Sequence, residues 1–164
     1  MIIILMGVSG AGKTTVGQLL ASQLGWEFAD ADDYHSATNI EKMRSGISLT
    51  DADRAPWLAT LRSLIAGWLT AGKNAVLACS ALKRTYREKL QLSPEVKFVY
   101  LKGNPSLLQQ RLHLRLGHFM TEQMLASQLA ALEEPDNAVV VDVDALPAEI
   151  AAKIRARLGQ TEKA

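Results

Sequence analysis

Residues Gly7-Val8-Ser9-Gly10-Ala11-Gly12-Lys13-Thr14 have the form G-x-x-x-x-G-K-T, and they stand between two segments of different periodicity. Before them, Ile2-Ile3-Ile4-Leu5-Met6 is a continuous apolar run of strand length, as in a parallel strand buried on both faces. After them, Val16, Leu19, Leu20 and Leu24 recur at helical spacing within Thr15 to Leu24. Strand, glycine loop and helix, in that order, make the phosphate-binding loop of a nucleoside triphosphate site. Glycines let backbone N–H groups turn inward around phosphate oxygens, and the helix start adds partial positive charge. The site predicted on this basis comprises Gly7, Val8, Ser9, Gly10, Ala11, Gly12, Lys13, Thr14 and Thr15. Lys13 is expected to reach the β- and γ-phosphates, and the Thr14 hydroxyl to hold Mg²⁺.

The alternation of strands and helices continues along the chain. Further strands are predicted over Trp26–Ala29, Ala75–Cys79, Val96–Leu101 and Ala138–Val141. Helices are predicted around Asn39–Arg44, from Asp51 to about Ala71, over roughly Leu82–Leu90, from Pro105 to about Arg115, from a Thr121 cap to about Leu132, and over Pro147–Leu158. Thr50 to Asp53 resembles a capping box with Asp in the Glu slot. This order implies an α/β fold: a doubly wound, five-stranded parallel sheet with helices on both faces. The 164 residues are expected to form one domain, 1–164. Ligands bind at the carboxyl ends of such strands. Attention therefore falls on Asp30-Ala31-Asp32, Ser80-Ala81-Leu82-Lys83, Lys102-Gly103 and Asp142-Val143-Asp144.

A net charge of +1 gives no electrostatic footprint for nucleic acid or an anionic membrane, so neither is expected as a partner. No apolar run approaches the ~20 residues of a membrane helix. The short N-terminal run lacks a basic leader and reads as a strand. The single cysteine, Cys79, excludes an intramolecular disulfide and suits a reducing compartment, so a cytoplasmic location is expected.

Phosphoryl transfer needs positioned phosphates, a metal ion, an acceptor held in line and cations around the transferring group. Asp30 and Asp32 lie two apart at a strand end and share a side if the chain stays extended. One could support the metal and the other orient an acceptor hydroxyl or take its proton. The Ala75–Cys79 strand ends in Cys-Ser instead of an acid, which shifts the metal-supporting role toward Asp30 or Asp32. No Asn-Lys-x-Asp guanine-reading signature is present, which argues against a GTPase switch. Lys83, Arg84 and Arg87 are expected on one helix face, where they could bind the acceptor or its product. Arg111 and Arg115, four apart, suit a lid that closes over triphosphate. His35 and His118 fall in predicted loops and could hydrogen-bond a polyol. Trp26 and Trp68 read as core, whereas Trp57 could be core or wall a pocket. Each of these charged groups also fits an ordinary solvated turn or helix face.

With these segments in place, the chain resembles the gluconokinase family, small phosphate-loop sugar-acid kinases akin to shikimate and adenylate kinases. The resemblance rests on the phosphate loop, Asp30-Ala31-Asp32-Asp33-Tyr34-His35, Asn39-Ile40-Glu41-Lys42-Met43, Leu49 to Leu58, Cys79-Ser80-Ala81-Leu82-Lys83-Arg84-Thr85-Tyr86-Arg87, Tyr100-Leu101-Lys102-Gly103, Arg115 with Gly117-His118-Phe119, Ser127-Gln128 and Leu132-Glu133. It covers nearly the whole chain, and the Cys79–Lys83 and Gly117–Phe119 segments are its most specific parts.

The resemblance implies the reaction ATP + D-gluconate → ADP + 6-phospho-D-gluconate, with ATP and Mg²⁺ as cofactors. It also implies sheet order 2-3-1-4-5, an acceptor-binding segment over about 30–72, a lid over about 112–125, and a homodimer. Lys13, Asp32 and Arg115 would be catalytic. Arg111 and Arg115 would bind nucleotide, and Thr14 and Asp30 the metal. Asp32, His35, Lys83, Arg87, His118 and Gln128 would face gluconate, Gln128 on the resemblance alone. The chain departs from the family where Ser36, Ser48 and Thr121 replace frequent prolines, and where Leu116 replaces a basic residue before Gly-His-Phe. The competing readings are a kinase of another small acceptor, shikimate-like or a nucleoside monophosphate, and a nucleotide-binding module without catalysis.

Overall fold

Strands and helices alternate along the chain in the computed structural model, which describes residues 1–114 and 122–163. The elements are β1 (Ile2–Met6), α1 (Lys13–Leu24), β2 (Glu27–Asp30), a 3-10 turn (Ala31–Tyr34), α2 (Ala37–Arg44), α3 (Asp51–Thr70), β3 (Ala75–Ala78), α4 (Arg84–Leu90), β4 (Val96–Lys102), α5 (Pro105–His113), α6 (Glu122–Ala131), β5 (Val139–Asp142) and α7 (Pro147–Leu158). The strands form one parallel sheet in the order β2-β3-β1-β4-β5, the order expected.

The apolar run of β1 explains its central place. Ile2 pairs with Ala75 on one side and Val96 on the other, and all five β1 residues have 0% exposure. Because strand side chains alternate in direction, one short run feeds two cores. Ile3 and Leu5 pack with Val16, Leu20 and Leu24 of α1, Leu108 of α5, and Ile150 and Ile154 of α7. Ile2, Ile4 and Met6 pack with Leu58, Leu61, Ile65 and Trp68 of α3 and with Tyr86 and Leu90 of α4. Trp68 is buried as expected, but Trp26 is only half-buried, lying against the α1–α7 core from the turn before β2.

Local chemistry sets most boundaries. Thr50 Oγ1 accepts from Asp53 N at 3.1 Å and Asp53 Oδ2 accepts from Thr50 N at 2.9 Å, the reciprocal box expected at the start of α3. Asn104 Oδ1 caps α5 through Leu107 N, with Pro105 at its first position. Helix α4 differs from expectation: it starts at Arg84, not Leu82. Ala81 has a positive φ of 44° and Lys83 is extended at φ −90°, ψ 145°, so neither residue continues a helix. Helix α5 ends at His113, short of the expected Arg115. The Thr121 cap and the loop residues 116–119 lie outside the described residues.

Candidate active site

The G-x-x-x-x-G-K-T segment closes over the carboxyl end of β1. Gly10 has φ +84°, and a Cβ there would stand 2.9 Å from the Leu108 carbonyl oxygen, so the bend admits only glycine. Gly12, at φ +88°, is the cap from which Lys13 opens α1. Lys13 Nζ donates to Val8 O at 3.1 Å, folding its ammonium back over the loop. Gly7 N donates to Ser80 O at 3.2 Å and ties the loop to the segment after β3.

Beneath the loop a small recess of about 50 Å³ is lined by Ser9, Gly10, Lys13, Thr14, Asp30 and Asp32, with Cys79 and Ser80 closing its floor. The Thr14 hydroxyl donates to Asp30 Oδ2 at 2.5 Å. Asp30 Oδ1 accepts from Asp32 N at 3.0 Å, which caps the 3-10 turn and sets the Asp32 carboxyl beside it. Asp32 keeps accessible surface, yet its carboxyl sits in a crowded recess. Loss of bulk hydration raises its pKa; the positive charge of Lys13 opposes this, and Asp30 and Asp33 reinforce it. Cys79, buried below, has its thiol pushed up to about 12 by desolvation and is not a nucleophile at neutral pH.

A paired hydroxyl and carboxylate are hard oxygen donors of the type Mg²⁺ takes. No group of three or more His, Cys, Asp or Glu suited to a metal occurs among the described residues.

His35 follows the 3-10 turn and stacks on Trp57 with ring centroids 4.4 Å apart and planes within 11°. Trp57 is buried in the core and donates Nε1–H to Ala31 O at 2.7 Å. Burial, with the charge of Arg54 second, lowers the His35 pKa to about 4. The ring is therefore neutral at physiological pH. Buried Asn39 lies 3.5 Å from His35 Nδ1 and donates Nδ2–H to Asp53 O at 2.9 Å.

A second cavity, of about 170 Å³, adjoins the loop and is lined by Ser48, Arg54, Lys83, Met124, Ser127 and Gln128, among others. Gln128 Oε1 accepts from Ser9 N at 2.7 Å, joining this cavity to the phosphate loop. Lys83 Nζ donates to both oxygens of Asp51, at 2.9 and 3.1 Å.

The structure thus brings together Lys13, Thr14, Asp30 and Asp32 in one recess and Lys83 and Gln128 in the adjoining cavity. It does not form the expected basic face of Lys83, Arg84 and Arg87. Lys83 stands outside α4 and turns to Asp51, while Arg84 pairs with exposed Asp136 at 2.8 Å. Arg87 is buried and donates to Ala81 O and Leu82 O at 3.0 and 2.9 Å, bracing the turn that carries Lys83. Arg111 donates to Val143 O at 2.6 Å, at the end of β5. Arg115 and His118 lie outside the described residues.

Sequence reasoning missed Arg54. A signal was available: a cation in the early turns of a helix sits against the helix dipole, so something other than helix stability places it there.

Residues 2–135 match the family described as an AAA domain, which spans most of the chain. The chain is 50% identical over 134 residues to a gluconokinase of Gluconobacter oxydans, covering 81% of this chain and 75% of that one. An unliganded sugar kinase from Janibacter superposes with a TM-score of 0.89 at 42% identity, covering 96% of this chain and 94% of that one. A gluconokinase from Sinorhizobium meliloti superposes with a TM-score of 0.82 at 42% identity, with the same coverage. With a phosphate loop, a carboxylate recess and an adjoining cationic cavity arranged on that shared fold, the chain belongs to the gluconokinase family.

Proposed function

We propose that the protein transfers the γ-phosphoryl group of ATP to the 6-hydroxyl of D-gluconate. The observation that carries the reading is the junction of the two cavities. Gln128 and Ser9 link the phosphate loop to a space lined by Lys83 and Arg54, two cations suited to an acidic acceptor. The acceptor oxygen attacks the γ-phosphorus, the bond to the β,γ-bridging oxygen breaks, and ADP leaves. Asp32 orients the attacking hydroxyl and takes its proton, a task that its raised pKa assists. Lys13 moves from Val8 O to the β- and γ-phosphates and offsets their charge. His35, neutral and held flat on Trp57, offers a hydrogen bond to the polyol. Bound Mg²⁺, held through Thr14 and Asp30, supplies electrostatic neutralisation of the triphosphate.

Arg111, just before a lid over about 112–125, and Arg115 within it serve the nucleotide, and His118 the gluconate. Residues 30–72 form the acceptor-binding segment of a single domain. Arg87 acts from behind, holding the turn that presents Lys83. No helix among the described residues is long and apolar enough to cross a membrane. A cytoplasmic location suits the lone buried thiol, and a homodimer follows the family resemblance; sedimentation velocity tests the latter.

A coupled ADP-release assay tests the reaction, run with gluconate, shikimate, a nucleoside monophosphate and no acceptor, each with and without Mg²⁺. ADP release dependent on gluconate and Mg²⁺ is expected. Release with shikimate or the nucleotide alone would overturn the assignment of the acceptor.

A further inference from the structure

The start of α3 and the start of α4, with Lys83 just before it, enclose a cluster beside the acceptor cavity. Lys83 grips both carboxylate oxygens of Asp51. Tyr86 donates its hydroxyl to Asp51 Oδ1 in a short hydrogen bond. Arg54, three residues after Asp51 on α3, has NH1 3.5 Å from the Tyr86 oxygen and its guanidinium 5.8 Å from the ring centroid. Lys83 lies 5.7 Å from the same centroid. Two cations and a phenol thus gather around one carboxylate. Arg54 and Lys83 line the cavity, whereas the Asp51 side chain is 67% exposed at its rim.

Three features set this cluster apart from an ordinary surface ion pair. The cations face the space proposed for a substrate that is itself a carboxylate. Arg54 stands where the helix dipole disfavours it. Asp51, in contrast, is stable without the pair, since it lies in the first turn of α3 where an anion is favoured. An exposed pair of this kind is weak and exchanges easily. The hydrogen bond from Lys83, then that from Tyr86, hold the Asp51 carboxyl below its ordinary range, with the charge of Arg54 adding to them. The cluster therefore prefers an anion at this spot.

We infer that Arg54, Lys83 and Tyr86 form the subsite for the acceptor's carboxylate, and that Asp51 fills this subsite while the acceptor is absent. The inference rests on the proposed gluconate reading. An acid acceptor displaces Asp51 by offering the same functional group, and Asp51 swings into water. A neutral polyol has no such group to offer and must compete with an internal anion. Selection for a sugar acid then comes from exclusion as much as attraction.

The test compares gluconate with D-glucitol, which carries a hydroxymethyl group in place of the carboxylate, as acceptors for the wild type, Arg54→Gln, Lys83→Met and Asp51→Asn. Gluconate binding is measured in parallel by calorimetry without nucleotide. Loss of a charge-assisted contact predicts that the gluconate-to-glucitol ratio of kcat/KM falls about tenfold to a hundredfold in Arg54→Gln and Lys83→Met. Loss of a competing exposed pair predicts that Asp51→Asn lowers the gluconate KM about twofold to fivefold. A KM that is unchanged or raised in Asp51→Asn overturns the competing role, and an unchanged ratio in the other two overturns the subsite; both leave the kinase reading intact. A wild type that binds gluconate but forms no product overturns the kinase reading, and weaker binding by Arg54→Gln would then uphold the subsite. A wild type that neither binds nor phosphorylates gluconate overturns both. Because Arg54 NH1 also donates to Leu49 O at 2.6 Å, Lys83→Met serves as the second probe should Arg54→Gln misfold.

Discussion

Asp32 must remain an acceptor of protons while sitting in a crowded recess, and its neighbours set that balance. Burial raises its pKa, and Lys13 keeps the rise in check. Asp32→Asn preserves shape and hydrogen bonding but removes the basic oxygen. Turnover is expected to fall about a hundredfold or more while ATP binding survives; steady-state kinetics and nucleotide calorimetry check the two parts separately. His35 makes a different prediction. Its pKa is about 4 in the folded protein against an ordinary 6.5. Between those values the unfolded chain binds a proton that the folded protein does not, so stability rises with pH across the window and is lost as pH falls. Below about pH 4 both states carry the proton and this slope ends. His35→Phe keeps an aromatic ring for Trp57, and its urea midpoint should fall less steeply than that of the wild type between pH 6.5 and 4.5. Equal slopes would show that the imidazole is not the group responsible.

At the scale of elements, α2 and α3 are held together by few contacts. Asn39 reaches Asp53 O, and Lys42 pairs with Asp53 at 2.8 Å. The hydrogen bond and backbone contacts of Asp53, that from Lys42 foremost, lower its pKa to about 2, so this tie persists over the usual working range. Asn39→Ala removes the side-chain hydrogen bond to Asp53 O, at about 0.5–1.5 kcal/mol. It should speed hydrogen exchange over residues 36–50 and raise the acceptor KM more than the ATP KM. The elements also show what could be read in advance. The phosphate loop was legible because its chemistry fixes both spacing and flanking structure. The α3 box and the Asn104-Pro105 start were legible because a cap is a local bond between near neighbours. The face of α4 was not. Whether Lys83, Arg84 and Arg87 align depends on the helix frame, and the positive φ of Ala81 displaces its start by two residues. Nothing in the spacing of Arg87 tells that its guanidinium is spent on two carbonyls of its own turn. The Arg54–Tyr86 contact joins residues 32 apart in sequence, a separation that no local pattern encodes.

For the molecule as a whole, Cys79 offers a measurement. It is 1% exposed at the end of β3, and its thiol is raised to about 12. A thiol reagent should therefore label it only when the sheet opens, at a rate that tracks global unfolding through a denaturant series. Rapid labelling of the native protein would contradict this burial. The sheet order has a wider consequence. β1 lies between β3 and β4, so the loop at its end faces two flanks. β2, the 3-10 turn that follows it and α3 supply Asp30, Asp32, His35 and Arg54 to one flank, and α5, bonded to the end of β5, places Arg111 on the other. Apart from Gln128, the residues proposed to touch the acceptor among those described come from one unbroken stretch, 30–87. Evolution or a protein engineer could then recast the acceptor by rewriting that stretch, exchanging it as a cassette while the donor flank and the central strand stay as they are.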